Sequence, residues 1–190
     1  MSKQFENFPF ASQLACRRRT FDLIFDHLDS FEGGLILETG TTREENNWAG
    51  DGQSTRLWEW YIAHNPKFRG FSVDLSIDAC RVALSYCKHV SIVHDDSLAF
   101  LSRMDAKGLA DARLIYLDSM DWSPERHIPS SFHHLCELAT IWARLPKNCL
   151  VVVDDRHNDA QGKHFLVEQF MNKLQIDPVF KGYQIGWIKP

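Results

Sequence analysis

No two of the five cysteines (Cys16, Cys80, Cys87, Cys136 and Cys149) stand in a Cys-x-x-Cys pair. Their odd number and wide spacing exclude a disulfide framework and a cysteine-built zinc site, and they suit reduced, structural thiols. No apolar run approaches the ~20 residues that a membrane helix needs. Residues 1–7 also lack the charged-then-apolar order of a secretory signal. The expectation is a cytoplasmic protein with no membrane partner. Positive charge is short as well: 21 Lys and Arg face 25 Asp and Glu, for a formal net charge of −4. A chain without basic excess carries no footprint for a polyanion, so no nucleic acid partner is expected. Its one basic run, Arg17-Arg18-Arg19, reads as a solvated helix face. Repeats, linkers and low-complexity segments are absent, and at this length one domain over residues 1–190 is expected.

What is present is an alternation of strand and helix signals. Leu14, Phe21, Phe25, Leu28 and Phe31 recur at helical spacings, so residues 12–30 are expected to form an amphipathic helix, and residues 1–32 a helical cap. Gly33-Gly34 ends it. Leu35-Ile36-Leu37 is then a short apolar run of buried-strand type, followed by a Gly-, Thr-, Asn- and Asp-rich loop over 40–52 and a helix over 54–64. The unit repeats with strands at 71–73, 90–93, 114–117 and 150–153, with helices over 98–104, 131–145 and 163–174 among the segments that follow. A hairpin around Lys181-Gly182 closes the chain. Strands alternating with helices at this spacing predict an α/β fold with a doubly wound, mostly parallel seven-stranded sheet, ending in an antiparallel hairpin and preceded by an extra N-terminal helix.

The acids fall in register with the strands. Glu38, Asp74, Asp95-Asp96, Asp118 and Asp154-Asp155 each follow a predicted strand. In open α/β sheets ligands bind outside the carboxyl ends of the strands, so this register gathers carboxylates on the functional edge. The first loop adds Glu38-Thr39-Gly40-Thr41 on leaving the strand and Gly50-Asp51-Gly52-Gln53-Ser54-Thr55 on approaching the helix. Glycine serves where backbone must come close to a ligand or take positive φ. A compact Gly-x-Gly-x-x-Gly is missing, which argues against a dinucleotide fingerprint.

Taken together, these segments resemble class I S-adenosylmethionine-dependent methyltransferases. Glu-x-Gly-x followed by Gly-x-Gly-x-Ser-Thr is similar to that family's motif I, Asp74 to the acid that binds the ribose hydroxyls, and Asp96-Ser97 to the position that reads the adenine edge. The resemblance implies a Rossmann-like fold and S-adenosylmethionine as cofactor, bound by Glu38, Gly40, Thr41, Gly52, Ser54, Thr55, Asp74, Asp96 and Ser97. It implies methyl transfer to a small-molecule acceptor, at oxygen. Two alternatives stay open: another S-adenosylmethionine reaction (cyclisation, or aminopropyl or aminocarboxypropyl transfer), and a non-catalytic nucleotide-binding module. The longer first loop, 42–49, suggests a lid or substrate wall with Arg43 and Trp48 as contacts. So short a chain points to a small substrate, or to a homodimer in which a second subunit completes the pocket.

Asp118 with Asp154-Asp155 also resembles the magnesium site of catechol-type O-methyltransferases, which adds Mg2+ as a candidate cofactor with these three carboxylates as ligands. Asp155 stands where that family has Asn. Asp118, His157 and His133 are the candidates for acid–base catalysis. Lys163 sits near a predicted helix start, where a cation gains nothing from the helix dipole, and this hints at an anion contact.

Overall fold

The computed structural model describes residues 2–48, 50 and 53–190. Helices α1 (Lys3–Glu6) and α2 (Arg18–Leu28) precede strand β1 (Gly34–Thr39). Then come α3 (Ser54–His64), β2 (Phe68–Asp74), α4 (Ile77–Leu84), β3 (Val90–His94), α5 (Ser97–Arg103), α6 (Ala106–Leu109) and β4 (Ala112–Leu117). The chain finishes with α7 (His127–Ile141), β5 (Leu150–Val153), α8 (Phe165–Lys173), β6 (Phe180–Lys181) and β7 (Ile185–Ile188). The strands form one seven-stranded sheet in the order β3-β2-β1-β4-β5-β7-β6. Strands β1 to β5 are parallel, while β7 runs antiparallel to both β5 and β6. The expected sheet and its closing hairpin therefore form as the alternation of signals predicts.

Side chains alternate across the parallel strands and build two cores. Ile36, Leu114, Tyr116, Leu150 and Val152 face α2 and α3, where Phe21, Phe25, Leu57 and Trp58 are buried. Leu35, Leu37, Ile115, Leu117, Val151 and Val153 face the opposite way, against Leu101 of α5, Leu138 of α7 and Met171 of α8. Both faces are covered, which explains why these strands read as continuous apolar runs. Burying a side chain such as Leu or Phe in either layer contributes about 1.5–3 kcal/mol.

Two boundaries differ from the sequence expectation. The helix expected over 12–30 is interrupted: two single 3-10 turns, Ala11–Gln13 and Ala15–Arg17, precede α2. Ala15 has φ 48, a left-handed conformation that no α-helix continues through. The described part of the expected cap, residues 2–32, is more than a cover, because Phe5, Phe8, Phe21, Ile24, Phe25 and Leu28 belong to the core itself. No helix among the described residues is long and apolar enough to cross a membrane.

Chain reversal occurs between β1 and β4: from β1 the sheet grows one way through β2 and β3, and the other way through β4 and β5. Crevices open at such a switch point, at the carboxyl ends of the strands. Backbone hydrogen bonds hold those ends level. The N–H of Gly40 donates to Val73 O, that of Asp118 to Thr39 O, and that of Asp154 to Leu117 O.

Candidate active site

Two cavities of about 350 and 330 Å3 open along this edge and share Gly40, Asp74, Leu75 and Ser119, so they form one continuous cleft. The first is lined by Thr41, Thr42, Arg43, Ser54 and Asp118, and the second by Asp96, Ser97, Met120, Arg126 and His133. Volumes of this size suit a small organic ligand.

Local chemistry explains how each wall is held. Gly40 has φ +82, and a Cβ there would collide with the Asp118 carbonyl at the end of β4, so only glycine lets the first loop lie flat across the switch point. Asp74 receives the Thr41 N–H on Oδ2 (2.9 Å) and the Ser76 N–H on Oδ1 (2.7 Å), which fixes its carboxylate at the junction of the two cavities. Asp96 caps α5 by accepting the Ala99 N–H at 2.8 Å. Ser97 Oγ lies 3.2 Å from His133 Nε2.

Glu38 sits elsewhere. It is fully buried beneath α3, accepting hydrogen bonds from Trp58 Nε1 (2.9 Å), Thr55 Oγ1 (2.7 Å) and Ser72 Oγ. Burial pushes its carboxyl up to about 7 against the pull of its hydrogen bonds. Thr55 faces the same interior, its hydroxyl accepting the Thr42 N–H. Both residues brace the first loop from behind rather than line the cleft. Gly52 falls outside the described residues.

The carboxylates after β4 and β5 do converge, and they converge on two buried cations. The loop after β5 turns sharply at Asp155 (φ 50) and doubles back through an antiparallel bridge between Arg156 and Gly162. This returns Lys163 to the strand ends. Its ammonium pairs with Asp118 and with Asp155 Oδ2 (2.9 Å), and the side chain is 2% exposed. Arg17 reaches in from the opposite side, 3.4 Å from Asp154 and 3.4 Å from Asp155, with its guanidinium 4.3 Å above the Tyr183 ring. Burial alone would lower both cations, but the surrounding acids hold Lys163 and Arg17 above their ordinary values and therefore charged. Three carboxylates against two cations leave one negative charge in excess. Burial and the neighbouring acids keep Asp118 well above the carboxylate range despite Lys163. Asp155 is drawn down to about 2 against its burial by Lys163, Tyr183 and Arg17.

This arrangement bears on the magnesium expectation. Asp118, Asp154 and Asp155 each have a cation partner already, and no group of three His, Cys, Asp or Glu side chains among the described residues is disposed to hold a metal ion. With Lys163 and Arg17 in place these carboxylates do not fit a divalent ion.

Of the two histidines expected to act, His133 lines the second cavity next to Asp96 and Ser97. His157 is exposed and stacked on Trp122 at 4.7 Å, and it lines neither cavity. Arg43, on the first loop, forms an ion pair of 2.7 Å with Asp121 after β4, bridging the mouth of the cleft. Trp48 is buried against Phe10 at 4.5 Å and serves the core.

Sequence reasoning missed Arg17, Tyr183 and Glu137. Arg17 is buried rather than solvated, and nothing in the spacing marked it, because Arg17 and Arg18 both stand three or four positions from Leu14 and Phe21. Glu137 lies fully buried on α7. It accepts hydrogen bonds from Ser119 Oγ (2.7 Å) and Thr39 Oγ1 (3.2 Å) and pairs with His133 at 3.3 Å, so it ties α7 to the ends of β1 and β4. Its signal was a carboxylate amid the buried run His134, Leu138 and Ile141.

No protein-family profile matches the chain, and no curated protein matches it. Solved structures do. MycE, a methyltransferase of the mycinamycin biosynthetic pathway in complex with Mg, SAH and mycinamycin VI, aligns over 91% of this chain at 13% identity with a TM-score of 0.58. This chain spans about half of it, 49%. CalS11, a TDP-rhamnose 3'-O-methyltransferase of calicheamicin biosynthesis, aligns over 98% of this chain and 90% of its own at 16% identity, TM-score 0.57. A Streptococcus mutans protein in complex with SAH covers 90% of this chain and 97% of its own at 11% identity, TM-score 0.58. The sheet order, the antiparallel closing hairpin and these alignments together give the chain the fold of the class I S-adenosylmethionine-dependent methyltransferases.

Proposed function

We propose that the chain is an S-adenosylmethionine-dependent methyltransferase acting on a small molecule, with oxygen as the methylated atom. The observation that carries this reading is the single cleft at the β1/β4 switch point, in which Gly40, Asp74, Asp96 and Ser97 stand in the order that a nucleoside with an extended tail requires. Gly40 leaves room for the tail to pass close to backbone. Asp74 retains free acceptor capacity for two ribose hydroxyls, and Asp96 with the Ser97 amide faces the base end. When bound, the cofactor supplies a methyl group on a positively charged sulfur, open to in-line attack.

The chain's own part is positioning and proton handling. Asp118 lies on the first cavity, and the ion pair with Lys163 fixes its orientation. As a carboxylate on the cleft, Asp118 is placed to accept the proton that an acceptor hydroxyl gives up as its oxygen bonds carbon. Holding donor and acceptor in line is worth about 7–11 kcal/mol of barrier. His133, held by Ser97 and Glu137, orders the base end, and the Arg43–Asp121 pair closes over the mouth. In this reading residues 1–190 are one catalytic domain of a cytoplasmic protein. It engages a small molecule and neither nucleic acid nor membrane.

The test is product analysis with a panel of hydroxylated acceptors. S-adenosylhomocysteine should accumulate in step with methylated product. Accumulation of 5'-methylthioadenosine in its place would assign a different reaction to the same cofactor.

A further inference from the structure

We infer that the Lys163 ammonium is a resident cation that fills, from within the chain, the position at the strand-four and strand-five carboxylates that a divalent ion would otherwise take, and that Lys163 thereby positions Asp118 on the cleft. The placement carries the argument. Lys163 is fully buried, yet its charge is directed at two acids from different strands, Asp118 after β4 and Asp155 after β5. Its ammonium also lies 3.4 Å from the Asp118 carbonyl oxygen, so three oxygens surround one nitrogen. Arg17 supplies the second positive charge on the far side, to Asp154 and Asp155.

Such a cluster is costly unless the cation belongs to it. A buried lysine gives up strong hydration and is retained only where acids repay it. The loop that delivers Lys163 is built for the purpose. Gly162 has φ +140 and leaves no room for a Cβ, which would meet the Asp155 carbonyl at 2.5 Å. This glycine lets residue 163 turn back onto the strand ends. A divalent ion could reach the three carboxylates only by displacing both an ammonium and a guanidinium.

Lys163 touches Asp118 and does not line either cavity, so it is a positioning residue. That part of the inference rests on the methyltransferase reading. The occupancy of the cation position does not.

The measurement is a Mn2+ titration of the purified protein, read by thermal melting and by the loss of free-ion paramagnetic resonance, on wild type, Lys163→Met and Lys163→Met/Asp118→Asn. Wild type should neither bind Mn2+ nor gain in Tm. Lys163→Met should melt lower without metal, bind Mn2+ and recover several degrees, and the double variant should lose that response. Should Lys163→Met fail to fold, the charge-balanced Lys163→Met/Asp155→Asn variant and the wild-type titration still decide. The balanced variant should fold and remain indifferent to Mn2+, and a balanced variant that fails to fold as the single one does would remove charge balance as the role of Lys163. Wild-type Mn2+ binding that disappears in Asp118→Asn would overturn the inference, as would a folded Lys163→Met that stays inert to the ion. S-adenosylhomocysteine binding is followed in parallel. Its absence from a wild type that ignores Mn2+ would refute the methyltransferase reading alone.

Discussion

At the scale of single residues, the site is governed by which charges are buried and with whom. Arg17, Arg18 and Arg19 are adjacent in sequence, yet only Arg17 is buried, facing Asp154 and Asp155, while its two neighbours are exposed. Neither composition nor the apolar spacing separates Arg17 from Arg18, since each stands three or four positions from both Leu14 and Phe21, and the left-handed turn at Ala15 interrupts the helical repeat between them. Glu38 has the opposite character: no cation faces it, and burial pushes its carboxyl up from 4.5 to about 7. A raised folded-state value means that its protonated form stabilises the fold. That contribution is complete below about 4.5 and is lost as pH rises through about 7. At ~1.4 kcal/mol per pKa unit the loss is on the order of 3 kcal/mol. Glu38→Gln removes the titration and keeps the shape. Melting curves at pH 5 and pH 8 should therefore show the variant gaining on wild type at the higher pH. An equal difference at both values would remove Glu38 as the source.

At the scale of elements, α7 does more than cover the sheet. Glu137 connects it to Thr39 at the end of β1 and to Ser119 after β4, and within the helix it pairs with His133 on the cleft. The hydrogen bond to Glu137 raises His133 above the ordinary histidine value against its partial burial, with the charges of Glu137 and Asp96 adding to it. Burial opposes ionisation of Glu137 itself, but the hydrogen bond from His133 and the charges of His134 and His133 keep it low. In Glu137→Gln the hydrogen-bonded charge is gone and burial remains, so the His133 pKa should fall below the ordinary value in an NMR titration. An unchanged value would mean that another group holds His133. The strands and most helices were legible because each is a continuous apolar run or a clear 3.6-residue stripe. The break at Ala15 was not, because alanine carries no signal for left-handed backbone. The acids at the strand ends were legible as a set. Their partners were legible only in part: the place of Lys163 near a helix start marked it for an anion, but the acids that it meets depend on a loop that doubles back, and Arg17 comes from a segment more than 130 positions away, as the Arg17–Asp155 contact shows.

At the scale of the whole molecule, one sheet with a single switch point concentrates the chemistry at one cleft. The first half of the chain, to the start of α5, supplies Gly40, Asp74 and Asp96 to its wall. The second half supplies Asp118 with Lys163 behind it, and Arg17 ties the N-terminal segment to the loop after β5. The claim on which the account turns is that this cleft binds S-adenosylmethionine through Asp74. The direct measurement is isothermal titration of S-adenosylhomocysteine into wild type and Asp74→Ala, with NAD as the control ligand. The account predicts saturable one-to-one binding to wild type and none of NAD. Asp74→Ala should weaken binding by about 1.5–3 kcal/mol, the worth of hydrogen bonds to a charged group, in a protein that remains folded. Equal affinity in wild type and Asp74→Ala, or binding of NAD but not of S-adenosylhomocysteine, would contradict it.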